Sequence, residues 1–303
     1  MFGNNQLVSL MPPKLDISVI KHSLTPFLPI IITLLLSMLI TLLIAPYQEP
    51  VNILPFEEES AGGAGAGLNA LFYLFISLIG GSFIFLMLKY KRDLLLKLFI
   101  GFAFFFSTFF ITLFIIANVT IVVATIPEII IIAVNLMYSL LVSYFMVAPK
   151  ANPQIRNILI LFLSSELGFF LGYNMPTWST ILILVVLSFY DIYAVKRGPI
   201  KKIVDTLEEE GEEVLPFLGY SGVEWQIGLG DLVFYSMFIS HVLAFFGLLA
   251  SFLVFLGILL GVALTYRLLP KYEMLPGLPL AIFFGICMLL LSQLIELILI
   301  IYP

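Results

Sequence analysis

Two aspartates, Asp191 and Asp231, stand inside long apolar stretches of a chain most of whose charged side chains gather in short polar breaks. Two carboxyl groups held within about 3 Å do not ionise together, so near neutrality such a pair keeps a single proton. The ionised member can take a proton from water while the protonated member donates to a peptide carbonyl and stabilises the developing oxyanion. Neither a metal, a cofactor nor a covalent intermediate is needed, and the titration belongs to the pair rather than to one residue. The same groups could instead form a structural acid pair sharing a proton, or a carboxylate relay for protons or cations. Spacing alone leaves all three readings open.

Other chemistries find fewer parts. His22 and His241 are the only histidines and HExxH is absent, so a zinc site of that kind lacks its ligands. Ser221, in Gly219-Tyr220-Ser221-Gly222, would need His241 as its base. His241 lies ten residues beyond Asp231, about 15 Å along a helix and on another face, so a packed polar role suits it better. Cys287 is the only cysteine, which leaves no disulfide framework and no cysteine-rich metal site.

The elements that must position the aspartates are set by the solvent. Of 303 residues, 61% are hydrophobic and 11% charged, with a mean hydropathy of +1.14, so the chain reads as an all-α, polytopic membrane protein in contact with the lipid bilayer. A net charge of −5 argues against a nucleic-acid partner. A crossing helix needs about 20 apolar residues. Nine runs fit: 26 to 46, 67 to 88, 97 to 118, 125 to 147, 155 to 173, 176 to 195, 226 to 248, 250 to 268 and 277 to 301. The seventh and eighth are parted only by a short apolar link near Gly247 to Ser251.

Charge supplies a check on that count. All 14 Lys and Arg fall at Lys14 and Lys21, between Lys89 and Lys97, at Lys150 and Arg156, between Lys196 and Lys202, and at Arg267 and Lys271. With nine spans these positions share one side, whereas the alternate loops, including the one carrying Glu49, Glu57, Glu58 and Glu59 with its AGGAGAG tail, have none. The positive side is the cytoplasmic one, so the N-terminus is expected inside and the C-terminus outside. No cleavable signal peptide is expected. The chain divides into an interfacial segment at 1–25, spans 1 to 6 over 26–195, a cytoplasmic loop at 196–225 and spans 7 to 9 over 226–303, all within one membrane domain.

This frame puts the two aspartates level. Asp191 precedes Lys196 by five residues and Asp231 follows Trp225 by six, so each lies about 8 Å below the same boundary on neighbouring antiparallel spans. A short Asp side chain does not reach the interface as Lys does, and must face a polar cavity or its partner. Gly228-Leu229-Gly230 leads into Asp231, and its two glycines remove bulk and free the backbone beside the acid. Tyr190, before Asp191, offers a phenol to orient a carboxyl or line a wet cleft.

Three further carboxylates have simpler accounts. Thr125-Ile126-Pro127-Glu128 matches a helix start with a capping box. Glu296 is near enough to a span end to reach the interface. Glu166, after Ser164 and Ser165, reads as a protonated, hydrogen-bonded structural group. Gly257 and Gly261 form a GxxxG that packs helices together, with a homo-oligomer as the alternative.

Taken together, Tyr190-Asp191, Gly228-Leu229-Gly230-Asp231 and Pro276-Gly277-Leu278-Pro279 resemble the YD, GxGD and PAL motifs of the presenilin and signal peptide peptidase family of intramembrane aspartyl proteases. Nine spans with an inside N-terminus resemble presenilin rather than signal peptide peptidase, whose topology is inverted. The short loop and small tails look like a microbial, archaeal homologue in a cell membrane. The resemblance implies intramembrane aspartic proteolysis by an Asp191 and Asp231 dyad. Its substrates would be membrane proteins or signal peptides, cut within their transmembrane segments near the cytoplasmic end. It also gives Tyr190, Gly228, Leu229, Gly230, Pro276, Gly277, Leu278 and Pro279 positioning roles. Gly277 departs from the family's usual Ala. Pro276 and Pro279 lack N–H donors and disfavour a regular helix before them, which would leave an extended stretch beside the cleft. That stretch or the 196–225 loop is expected to pair with an unwound substrate strand.

Overall fold

The computed structural model describes residues 25–58, 63–123, 126–148, 151–196, 219–222, 225–268 and 275–301. The segment expected at the interface and most of the 196–225 loop lie outside them. The order is α1 (Phe27–Ile44), α2 (Gly63–Lys89), α3 (Asp93–Val123), α4 (Glu128–Val147), α5 (Pro153–Asn174), α6 (Thr177–Lys196), β1 (Gly219–Ser221), β2 (Gln226–Gly228), α7 (Leu229–Leu268) and α8 (Leu278–Ile301). Eight helices among the described residues are long and apolar enough to cross a membrane. Helix is what such runs must form in lipid, because only it satisfies every backbone N–H and C=O within the segment.

The longest helix is two limbs. At 40 residues α7 would measure about 60 Å, twice the hydrocarbon thickness. It breaks at Gly247, whose φ of 82° and ψ of −176° are non-helical. No atom would lie within 4 Å of a Cβ at Gly247, so glycine is needed there for its backbone angles and not for space. Phe238 before the break and Ile258 after it both meet α8 at Gly285, so the limbs run side by side. The expected link at 247 to 251 thus narrows to one residue.

Two other boundaries differ from expectation. Gln226 to Gly228 opens the expected seventh span yet forms a strand, and the helix begins at Leu229. α4 starts at Glu128, with Pro127 as its N-cap and no side-chain cap bond from that residue. The expected capping box begins at Thr125, which lies outside the described residues. By contrast α5 has Asn152 at its cap, accepting from the Gln154 N–H, and Pro153 at its first position.

The first limb of α7 is the axis of the bundle, with α5, α1 and α8 packed around it. Small residues allow the close approach. A Cβ at Gly168 would stand 2.2 Å from Ser236 Cβ, and one at Gly172 2.1 Å from Met237 O, so α5 and α7 touch backbone to backbone. On the second limb, Gly257 and Gly261 do the same against α8, where a Cβ would lie 2.7 Å from Phe284 O and 2.4 Å from Leu280 O. The Gly257 and Gly261 pair therefore packs helices, as expected. The pair at Gly168 and Gly172 has the same spacing and was not singled out in the sequence. Gly172→Val is expected to destabilise the protein by about 3 kcal/mol through overpacking of that seam, measured as a lowered thermal midpoint in detergent.

Buried polar side chains tie the same helices. Ser37 on α1 donates to Ser236 O at 3.1 Å and pairs with the Ser240 hydroxyl. Ser165 donates to Thr33 O at 3.2 Å. Glu166 is buried and accepts from Thr112 at 2.8 Å, with Tyr138 as a second side-chain partner, so it links α3, α4 and α5 as a hydrogen-bonded structural group. Glu296 accepts from Gln293 Nε2 at 3.3 Å near the end of α8.

Candidate active site

Each aspartate enters the site from a helix end. Asp191 lies in the last turns of α6, and Asp231 in the first turn of α7. Both are partly buried. The segment opening α8 meets the two of them. The Leu278 N–H donates to Asp191 Oδ2 at 3.2 Å, and the Gly277 N–H also faces that carboxyl. A Cβ built on Gly277 would stand 2.4 Å from Asp231 Oδ2 and 2.7 Å from its Cγ. Consecutive backbone positions thus touch the two carboxyls, which are near enough to feel each other's charge.

The expected positioning residues divide. Gly228 lies beside Asp231, with a Cβ there 3.2 Å from Oδ2, and its backbone faces the same carboxyl. Gly230 does not need to be small, since a Cβ would meet only Phe234 at 3.8 Å. Leu229 packs into the core. Tyr190 also packs there, close to Asp191 and Tyr193. Pro276 precedes a bend at Gly277 and Pro279 sits in the first turn of α8, so on the helix side the expected extended stretch stops at Pro276, and among the described residues it comprises Leu275 and Pro276.

One residue escaped the sequence reading. Tyr235, one turn beyond Asp231 on the same helix face, is buried and donates its hydroxyl to Gly277 O at 2.9 Å. It fixes Gly277 from the far side, within electrostatic reach of both aspartates. Its signal was the i, i+4 spacing from Asp231.

Directly before Asp231 stands a hairpin. β1 and β2 pair antiparallel, Gly219 with Gly228, Tyr220 with Ile227 and Ser221 with Gln226. Tyr220 and Trp225 stack at 5.7 Å, and Asn157 on α5 holds Ser221 through its N–H at 3.0 Å and its C=O at 2.8 Å. Ser221 is therefore a strand residue with no link to His241. The His241 Nδ1–H donates to Gly172 O at 2.8 Å and Nε2 accepts from Thr177 at 3.1 Å, deep in the bundle. Among the described residues no three His, Cys, Asp or Glu side chains gather as a metal site would require.

Comparison with known proteins agrees with this architecture. A solved presenilin family intramembrane aspartate protease in space group C222 superposes with a TM-score of 0.63 at 20% identity, covering 89% of this chain and 99% of that one. The P2 form gives 0.62 at 19% identity, covering 89% and 98%. Presenilin-B of Dictyostelium discoideum is 38% identical over 128 residues, 40% of this chain and 27% of that protein. The presenilin-like protein At2g29900 of Arabidopsis thaliana is 32% identical over 99 residues, 31% of this chain and 24% of that protein. These alignments thus span about a quarter of each curated relative. The Presenilin family model matches residues 18–227, which include Asp191 and stop short of Asp231. With that match over most of its length and eight membrane-length helices, this integral, multi-pass membrane protein belongs to the presenilin family.

Proposed function

We propose that the chain is an intramembrane aspartic endopeptidase, hydrolysing peptide bonds within transmembrane segments of membrane proteins or signal peptides through water activated by Asp191 and Asp231. The observation that carries this reading is the meeting of both carboxyls on Gly277 and Leu278. The ionised aspartate takes a proton from water as the water oxygen bonds to the scissile carbon. The protonated aspartate gives its proton to the carbonyl oxygen. Collapse of the resulting gem-diol returns one proton to the dyad, delivers another to the amide nitrogen and breaks the C–N bond. The side-by-side limbs of α7 support nine crossings. With all Lys and Arg then on one side, the N-terminus is cytoplasmic and the C-terminus opposite.

The test is reconstitution of the purified chain in vesicles with a single-span peptide. Two fragments should appear by mass spectrometry, and an isostere carrying a hydroxyl in place of the scissile amide should block them. An intact peptide together with aspartate-dependent proton or cation flux would replace the protease by the relay.

The hairpin supports a way to hold the unwound substrate. The Gly222 N–H donates to Trp225 O at 2.8 Å, so the ladder alternates to bond Ile227 inward and to turn the N–H and C=O of Gln226 away from β1. A substrate strand added to that edge runs straight toward Asp231. Gln226→Pro removes the outward N–H without touching the β1 ladder. Steady-state kinetics should show KM raised about threefold to tenfold, the worth of one hydrogen bond, with Gln226→Ala unchanged. An unaltered KM in the proline variant would place the substrate elsewhere.

A further inference from the structure

Away from the aspartates, a groove of about 730 Å³ opens between α3 and α4. It runs from Lys97 to Phe105 on α3 and from Ala148 back to Leu140 on α4. Each wall spans eight residue steps, about 12 Å at the helical rise, close to the depth of one leaflet, since the whole hydrocarbon layer is about 30 Å. Its wall is apolar apart from Ser143 and two groups at its mouth, the ammonium of Lys97 and the phenol of Tyr144, both on exposed side chains. The groove cannot easily collapse, because Ser143 donates to Gly101 O at 2.7 Å and Asn135 to Phe109 O at 2.8 Å, locking the helices at two depths.

Charge names the occupant. Lys97 has no ion-pair partner among the described residues. Arg156, whose guanidinium donates to Phe145 O at 3.1 Å and Ala148 O at 2.8 Å, sets a second cation at the same end. Lys89 and Arg92, exposed just before α3, and Lys97 outnumber the one carboxylate at this helix start, Asp93. A groove with an apolar floor one leaflet deep and a cationic, phenolic mouth at the headgroup level matches one acyl chain beneath an anionic phosphate. A transmembrane helix is a poorer fit, because it needs a slot about 10 Å wide through both leaflets. We propose that the α3 and α4 groove is a binding site for an anionic glycerophospholipid, with the acyl chain along Gly101 and Phe105 and the phosphate at Lys97.

Native mass spectrometry of the delipidated full chain tests this, using dioleoyl phosphatidylglycerol against dioleoyl phosphatidylcholine. The wild type should retain one phosphatidylglycerol in preference to phosphatidylcholine. Lys97→Gln should cut that preference about fivefold, the effect of one cation at an anionic headgroup, while Arg267→Gln, an exposed cation on α7, should leave it. Leu140→Trp, which fills the groove, should lower retention of both lipids. Equal retention of the two lipids by the wild type would overturn the proposal, as would a preference untouched by Lys97→Gln. So would photo-crosslinks from position 98 that capture a second copy of the chain or the substrate peptide instead of lipid. Peptide cleavage is scored separately, so a failed protease reading and a failed lipid site give different results.

Discussion

Asp191→Asn and Asp231→Asn each reduce cleavage of a reconstituted single-span peptide by about 10⁴-fold, the upper range for loss of a positioned proton donor or acceptor. Asparagine keeps the shape and can still accept from the Leu278 N–H that now meets Asp191 Oδ2, so the segment at α8 stays in place. It cannot take a proton from water or give one to a carbonyl, and a dyad with one such member has lost either its acid or its base. Removing a charge from the interior is neutral or stabilising when the shape is retained. Both variants should therefore unfold at or above the wild-type temperature and still co-purify with lipid. Because a single shared proton makes the active form, wild-type kcat/KM should trace a bell against pH, falling on either side of the state that holds one proton. Appreciable cleavage by either variant, with ion flux lost, would move the pair from hydrolysis to transport.

That the two aspartates meet was legible because a bilayer acts as a ruler: with Lys196 and Trp225 read as one boundary, a fixed rise per residue puts both acids at the same depth. The meeting with Gly277 was not, since it joins Asp191 to a backbone 87 residues away. Nor could the sequence say which faces pack. Leu34 is buried while Leu35 beside it is half exposed, and lipid accepts either, so apolar side chains cover all sides of these helices. Small residues carry that information instead. Gly168 and Gly172 mark the α5 and α7 seam as plainly as Gly257 and Gly261 mark the one with α8. The link near Gly247 was legible because the apolar run is too long for one span, but its form was not, because both limbs are apolar and only the positive φ at that residue separates them. Gln226 to Gly228 runs straight into the apolar stretch of α7, and composition there does not distinguish a strand from a span end.

Gly277→Ala should lower kcat about tenfold, and Gly277→Val about a hundredfold, with KM little changed. Alanine is what related motifs carry here, so the change moves the chain toward the family pattern and is nevertheless expected to harm it. The reason is local. A Cβ at 277 would stand 2.4 Å from Asp231 Oδ2 and 3.0 Å from Oδ1, closer than real side chains approach, and the residue cannot retreat freely. Tyr235 holds its carbonyl at 2.9 Å, and the next N–H is engaged by Asp191 at 3.2 Å. The yielding group is thus the Asp231 carboxyl, and it moves away from the segment that also positions its partner. A misplacement of about 1 Å in a reacting group costs about a hundredfold in rate, which sets the scale for valine; the single methyl of alanine demands a smaller shift. Since neither change removes a group that binds substrate, the loss belongs in kcat and in the affinity of the hydroxyl isostere, which needs both carboxyls in register. Tyr235→Phe in the Gly277→Ala background supplies the discriminating measurement. Freeing the 277 carbonyl lets the backbone back away, so part of the lost kcat should return. No recovery, together with a wild-type rate for Gly277→Ala alone, would mean that the backbone already yields there and that glycine is not what sets the dyad's geometry.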